Sequence, residues 1–230
     1  MPSGQDIMVR AGILLNDEAY VRWTLAEMAQ WINEGVRAIV LAKPSAHPTT
    51  VVIALQKGTL QHIPAAALQL LWLTRNVMAA EEPRLAGRAI RPTPRAQLDA
   101  QEPNWHSAAA VRFRKEVRQF VFDEQNPRDF YVYPGNDGTG LVEAVVSNLP
   151  APLAATGEPA DIASYGDDLG LPEPYSVPLL DYVLYRSQLK DDLGGNAGRA
   201  SGHYQQFATA IGLKIQIEAA SSPNSRRTSQ

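Results

Sequence analysis

The chain contains no cysteine among its 230 residues, which excludes disulfides, thiolate metal sites and thiol nucleophiles. It also lacks a long apolar run. The longest, Ala65 to Leu73, is interrupted by Gln69 and reaches about half the length a helix needs to cross a bilayer. There is no excess of basic charge either: Lys and Arg number 21 against 24 Asp and Glu, so no overall positive field exists to hold a phosphate backbone. The opening Met1-Pro2-Ser3-Gly4-Gln5-Asp6 has no basic region followed by an apolar one, so a cleaved secretory signal is not expected and assembly in the cytoplasm is. Histidine is scarce. His47, His62, His106 and His203 occur singly, with no second histidine at ligand spacing, and neither a metal nor another cofactor is expected.

What is present is an ordinary globular balance. With 45% apolar and 20% charged residues, the chain can bury a core without a staple. Ile7, Ala11, Leu14 and Leu15 recur at helical spacing and Asn16-Asp17 offers a stop, giving a short first helix. The second is marked by Thr24-Leu25-Ala26-Glu27, a capping box in which hydroxyl and carboxylate satisfy two orphan N–H groups. Behind it, Leu25, Met28, Ile32, Val36, Ile39 and Val40 form one apolar stripe that ends near Pro44.

After Pro48 the period changes to two. Val51 to Leu55 and Thr59 to Ile63 flank Gln56-Lys57-Gly58 and are read as a β-hairpin. Leu70 to Val77 and Arg88 to Arg91 are expected as further strands, although Ala65 to Leu73 fits the start of a helix equally well. Thr93-Pro94 suits an N-cap with proline at the first helical position. Val117 to Asp123, Phe130 to Tyr133 and Leu141 to Ser147, separated by Asn126-Pro127 and Gly135-Asn136-Asp137-Gly138, are read as an antiparallel meander.

Pro150 to Pro178 holds six of the 17 prolines and is expected to be an extended connection over the surface. Leu179, Leu180, Val183, Leu184 and Ser187 then define one helix, and Ala200, Tyr204, Phe207, Ala208, Ile211 and Ile215 another, with Gly194-Gly195-Asn196 as stop and new cap. The expected class is α+β: a helical bundle from the N- and C-terminal helices with an inserted antiparallel β-rich domain. The expected divisions are 1–48 for the first helices, 49–149 for the β-rich domain, 150–178 for the connection, 179–217 for a helical hairpin and 218–230 for a flexible tail without apolar residues after Ala220.

Nothing in this pattern assembles chemistry. Gly135 to Gly140 lacks the lysine and following helix of a phosphate loop and is read as a turn. Asp167-Asp168 and Asp191-Asp192 are adjacent pairs whose side chains diverge, which suits capping better than paired-acid catalysis. His62 is read as a solvated strand residue on the face opposite Leu60, and His203 as a polar helix position. The run Arg112-Phe113-Arg114-Lys115 suits a charged subunit interface or a solvated face, with nucleic-acid contact as the other reading. Trp23, Trp31, Trp72 and Trp105 suit core or interface alike, with Trp31 assigned to the core. Gly198 and Gly202, spaced for close helix contact, point to tight packing within the hairpin or across a ring interface.

Four segments carry a resemblance. "AGILLNDEAYVRWTLAEMAQWINEGVRAIVLAKPSA", "LDAQEPNWH", "FVFDEQNPRDFYVYPGNDGTG" and "YSVPLLDYVLYRSQLKDDLGGNAGRASGHYQQFATAIGL" resemble the head-to-tail connector adaptors of short-tailed bacteriophages. The resemblance implies a non-enzymatic structural subunit of the virion neck, assembled head-to-tail into a ring of about twelve copies. Its implied partners are itself, the portal protein and the tail nozzle protein, with DNA passing through the lumen without specific binding and no membrane involved. By position it implies that the C-terminal tail docks on the portal, through Pro223, Asn224, Arg226 and Arg227. Arg112, Arg114, Lys115, Gly198 and Gly202 are the candidate subunit-interface residues. The competing readings are a virion-associated hydrolase using carboxylates and a tail nozzle or tail-completion subunit.

Overall fold

The computed structural model describes residues 1–79, 85–123, 125–190 and 196–221, with the side chains of 86 and 213–221 left aside. Among the described residues there are five helices, eight strands and three short 3-10 turns, and the chain is α+β. It divides into two compact units, Met1–Ala46 with Pro150–Gln230, and His47–Leu149.

In the first unit, α1 (Gly4–Leu15) starts one residue after Ser3, whose hydroxyl accepts the Asp6 N–H while the Asp6 carboxylate accepts from the Ser3 backbone. It ends on Asn16 in the left-handed region, φ 53°, where a short polar side chain is tolerated. Helix α2 (Leu25–Ala42) begins on the Thr24–Glu27 capping box, and all six residues of its apolar stripe are buried. Trp31 is buried too. Helix α4 (Ser176–Gln188) buries Leu179, Leu180, Val183 and Leu184, and α5 (Ala197–Ser221) adds Phe207 and Ile211 to the same core. Gly35 of α2 permits close approach to α4, because a Cβ there would lie 2.6 Å from the Leu179 side chain.

Most of the proline-rich stretch is exposed, and a few buried side chains anchor it. Its 3-10 turns, Ile162–Tyr165 and Glu173–Tyr175, carry Leu153, Tyr165, Leu169, Leu171 and Tyr175 into the helical core, where their apolar area outweighs the local preference for extension. Asn33 fixes its start by donating to the Leu153 carbonyl at 2.9 Å and accepting the Leu153 N–H at 2.7 Å.

The second unit contains two four-stranded sheets. One runs β1 (Pro48–Ala54), β8 (Leu141–Ser147), β3 (Gln69–Val77), β4 (Ala86–Ala89); the other runs β2 (Gly58–His62), β7 (Asp129–Asn136), β6 (Gln119–Phe122), β5 (Arg91–Pro92). Every pairing is antiparallel except β5 with β6. Ile53, Leu70, Leu73, Val142 and Val146 of the first sheet share one core with Phe120, Phe130 and Val132 of the second. A smaller cluster covers the second sheet's other face, where α3 (Arg95–Gln101) and its sequel bring Leu98 and Trp105 against Val121.

This wiring corrects several expectations. Val51–Leu55 and Thr59–Ile63 are not a hairpin: β1 pairs with β8 and β2 with β7, in different sheets. The meander stops after β6 and β7, because Gly135 to Gly140 carries the chain across to the other sheet. Arg88 to Arg91 is broken at Ile90 into two strands. Pro94 is itself the cap of α3, and Thr93 instead donates its N–H to the Phe120 carbonyl at 2.9 Å. His62 and Leu60 are both exposed and share one face, as residues two apart on a strand must.

Candidate interaction surfaces

Three polar knots rigidify the helical unit. The Asp17 carboxylate accepts the N–H groups of Val21, Arg22 and Trp23 at 3.0, 2.9 and 2.9 Å, closing the turn between α1 and α2. Burial raises the Asp17 pKa, but those three donors outweigh it and hold the carboxyl below its ordinary value. Lys190 donates at 2.9 Å to Glu27 and at 2.7 Å to the Arg22 carbonyl. Burial likewise raises Glu27, and bonds from Lys190 and Thr24 overcome it, so this carboxyl too sits low. Trp23 completes the arrangement by donating Nε1–H to the Ser187 carbonyl at 3.0 Å.

Across the α4–α5 hairpin, Asp181 meets His203 at 3.0 Å, and Tyr182, Tyr185, Tyr204 and Phe207 pack edge-to-face or tilted. His203 therefore has a defined partner rather than only solvent. Asn196 caps α5 by accepting the Arg199 N–H at 3.0 Å. Among the described residues, a Cβ at Gly202 would meet nothing within 4 Å, and one at Gly198 would meet only Asn196, whose Oδ1 lies 3.2 Å away.

The basic run lies in the β-rich unit, and Arg112, Arg114 and Lys115 are all exposed. It forms no strand, yet its C-terminal end and the residues that follow are held by two buried asparagines. Asn136 donates to the carbonyls of Arg114 at 3.0 Å and Lys115 at 2.8 Å, while its Oδ1 accepts from Gly138 and Gly140. Asn76 donates to the carbonyls of Arg88 and Val117 and accepts the Val117 N–H. Phe113 turns inward over Gly135, where a Cβ would lie 2.5 Å from its ring. Neither asparagine was legible as a site residue; the only signal was a polar residue interrupting a run that alternates toward a core.

The remaining candidates have structural employment. Asp168 accepts the Gly170 N–H at 2.8 Å, and the Asp167 carbonyl accepts from Gly4. His62 pairs with Asp129 at 2.6 Å, and His106 meets the Thr59 hydroxyl at 2.8 Å while stacking on Trp105. Burial lowers the His106 pKa, reinforced by the Arg95 charge, which favours the neutral ring. Trp72 is half exposed with its edge on Phe120, unlike the buried Trp23 and Trp105. Among the described residues no group of three or more His, Cys, Asp or Glu could hold a metal ion, and no helix is long and apolar enough to cross a membrane. Asp191, Asp192, Gly194, Gly195 and the tail residues Pro223, Asn224, Arg226 and Arg227 lie outside the described residues.

The model of the SU10 adaptor protein family matches residues 3–227. The chain belongs to that family. SU10 adaptor proteins are phage head-to-tail adaptors, so this adaptor is a bacteriophage structural protein. No curated protein matches the adaptor in sequence.

Proposed function

We propose that this adaptor forms a ring beneath the portal of a short-tailed phage, joins the portal to the tail nozzle, and lets DNA pass during genome ejection without chemistry of its own. The observation that carries the reading is the match to the adaptor family over residues 3–227. A helical bundle interrupted by a β-rich domain supplies two kinds of surface for that task. Head-to-tail contacts that close under rotation yield a ring of about twelve copies, whereas a self-complementary patch would stop at a dimer.

The exposed Arg112, Arg114 and Lys115 are assigned to a subunit contact, and their fixed backbone supports this because little ordering entropy is then lost on docking. Gly198 and Gly202 are assigned to close approach of a neighbouring helix, for which the open space at Gly202 leaves room. The C-terminal residues Pro223, Asn224, Arg226 and Arg227 are assigned to portal docking through charge-assisted bonds, on composition and position.

The test is symmetry-resolved imaging of the virion neck. Density for this chain as a cyclic ring against the portal is expected. A location elsewhere in the virion, or a two-fold dimer, overturns the reading. Removing residues 222–230 is expected to leave the melting transition unchanged while weakening portal association.

A further inference from the structure

Three arginines from three different segments border one cleft in the β-rich unit. Arg88 comes from β4, Arg91 from β5 and Arg118 from the residue before β6, and Ala89, Gln119 and Tyr133 complete the walls around a volume of about 370 Å³. Their backbones are fixed. Arg91 donates its N–H to the Arg118 carbonyl at 3.0 Å, Arg118 donates to the Tyr133 carbonyl at 2.8 Å, and Asn76 holds the Arg88 carbonyl at 2.9 Å. The buried Ile90 and Val117 anchor the neighbouring positions, leaving all three guanidinium-bearing residues exposed.

No acidic side chain lines the cleft, and none of the three arginines has an ion-pair partner among the described residues. Arg75 and Arg95 nearby are committed to Glu143 and Asp99. The nearest acid in sequence, Glu116, lines a separate pocket with Lys115. Residues 88–118 carry seven basic against three acidic side chains, although the whole chain is at −3. Three arginines lining one cleft, without a counter-charge among the described residues, constitute a site for an anion.

We propose that this cleft receives a carboxylate-bearing segment of a protein partner. The inference rests on the adaptor reading, in which protein surfaces do the work. Shape favours peptide over nucleic acid: a cleft of this size admits an Asp or Glu side chain, whereas a duplex presents its phosphates on a convex cylinder. Charge agrees, since the net negative chain weakens attraction to a polyanion beyond the cleft. Guanidinium forks match carboxylates bidentately, and the Tyr133 phenol and Gln119 amide on the walls are further hydrogen-bonding groups.

The test uses the full chain and a fluorescent oligoglutamate peptide, with oligoglutamine, single-stranded DNA and duplex DNA as separate arms. Oligoglutamate is expected to bind in a salt-sensitive manner, and oligoglutamine is not. Arg88→Ala, Arg91→Ala and Arg118→Ala together should weaken peptide binding by roughly tenfold or more. The triple lysine variant keeps the charge and tests the fork geometry should the alanine variant fail to fold; it should lose at least several-fold. A charge-matched control at three exposed basic residues without an assigned role, Arg10→Ala with Arg37→Ala and Lys57→Ala, should bind nearly as the parent does.

Equal binding of oligoglutamate and oligoglutamine, unchanged binding by the lysine variant, or equal loss in the control overturns the proposal. So does tighter binding of either DNA that depends on the same three arginines. Failure in these assays leaves the adaptor's position in the virion standing, and absence from the neck with peptide binding intact overturns that reading alone.

Discussion

Asn76 accepts the backbone N–H of Val117 at 2.9 Å and returns its amide to the Val117 carbonyl at 2.8 Å, so one buried side chain supplies the ladder bonds that a strand would. A third bond reaches the Arg88 carbonyl. Asn76 thereby fixes the Arg88 side of the arginine cleft and the residue that precedes Arg118.

Replacing Asn76 with alanine therefore leaves three backbone groups without their side-chain partner. At about 1–3 kcal/mol for each unmet buried group, with partial relaxation, the loss should be on the order of 3 kcal/mol. Asn76→Asp keeps the acceptor and forfeits both donated bonds, so it should not rescue. Chemical denaturation of the pure protein measures this; a change below about 1 kcal/mol would show that the clamp is dispensable.

Gly140 answers the second asparagine. A Cβ there would collide with the Asn136 amide and the Lys115 carbonyl, which are themselves bonded to each other. Gly140→Ala should cost about 1–3 kcal/mol by overpacking and loosen the basic run. Faster amide hydrogen exchange at Lys115 to Val117, with exchange in the helical unit unaltered, is the expected signature.

Gly202 should respond in the opposite sense. Among the described residues nothing lies within 4 Å of its missing Cβ, so Gly202→Ala removes a helix penalty of roughly 1 kcal/mol and should raise the stability of the isolated chain. If the residue is kept small for a neighbouring subunit, the same substitution should reduce incorporation into virions. Greater stability with undiminished incorporation would remove Gly202 from the interface.

Acid should loosen the turn between α1 and α2. Folding depresses the pKa values of Asp17 and Glu27, so their contribution is complete above the ordinary carboxylate values and vanishes as pH falls through the lower folded ones. Asp17→Asn combined with Glu27→Gln should flatten the acid limb of the stability–pH curve. An acid limb identical to that of the parent would place the responsible carboxylates elsewhere.

Helices were largely legible because their signals are local. Thr24 and Glu27 announce a start three residues apart, and the α2 stripe repeats at a fixed period. Ser3 with Asp6 makes the same box with a shorter acid, which is why α1 begins earlier than the apolar spacing suggests. Strand partners were not legible: alternation marks Val51–Leu55 as a strand but is silent on whether its neighbour is Thr59–Ile63 or Leu141–Ser147. The prolines of the 150–178 stretch gave no sign of which side chains anchor it, because the burial of Leu169, Leu171 and Tyr175 follows no local period. Arg88, Arg91 and Arg118 form a cleft only through the pairing of β5 with β6 and the bonds that hold it, and no spacing encodes that.

Pro48 is paired with Ser147, and β3 finds the other edge of that same late strand. During synthesis, β1 and β3 emerge from the ribosome with their common partner still unmade, and no turn-linked pair is available to shelter β1 meanwhile. Closure of this sheet must wait for β8, and a chain halted before Leu141 leaves two apolar strand edges open. Such a topology makes nascent-chain folding late and abrupt, and makes truncated products prone to pair with one another rather than to persist as soluble fragments.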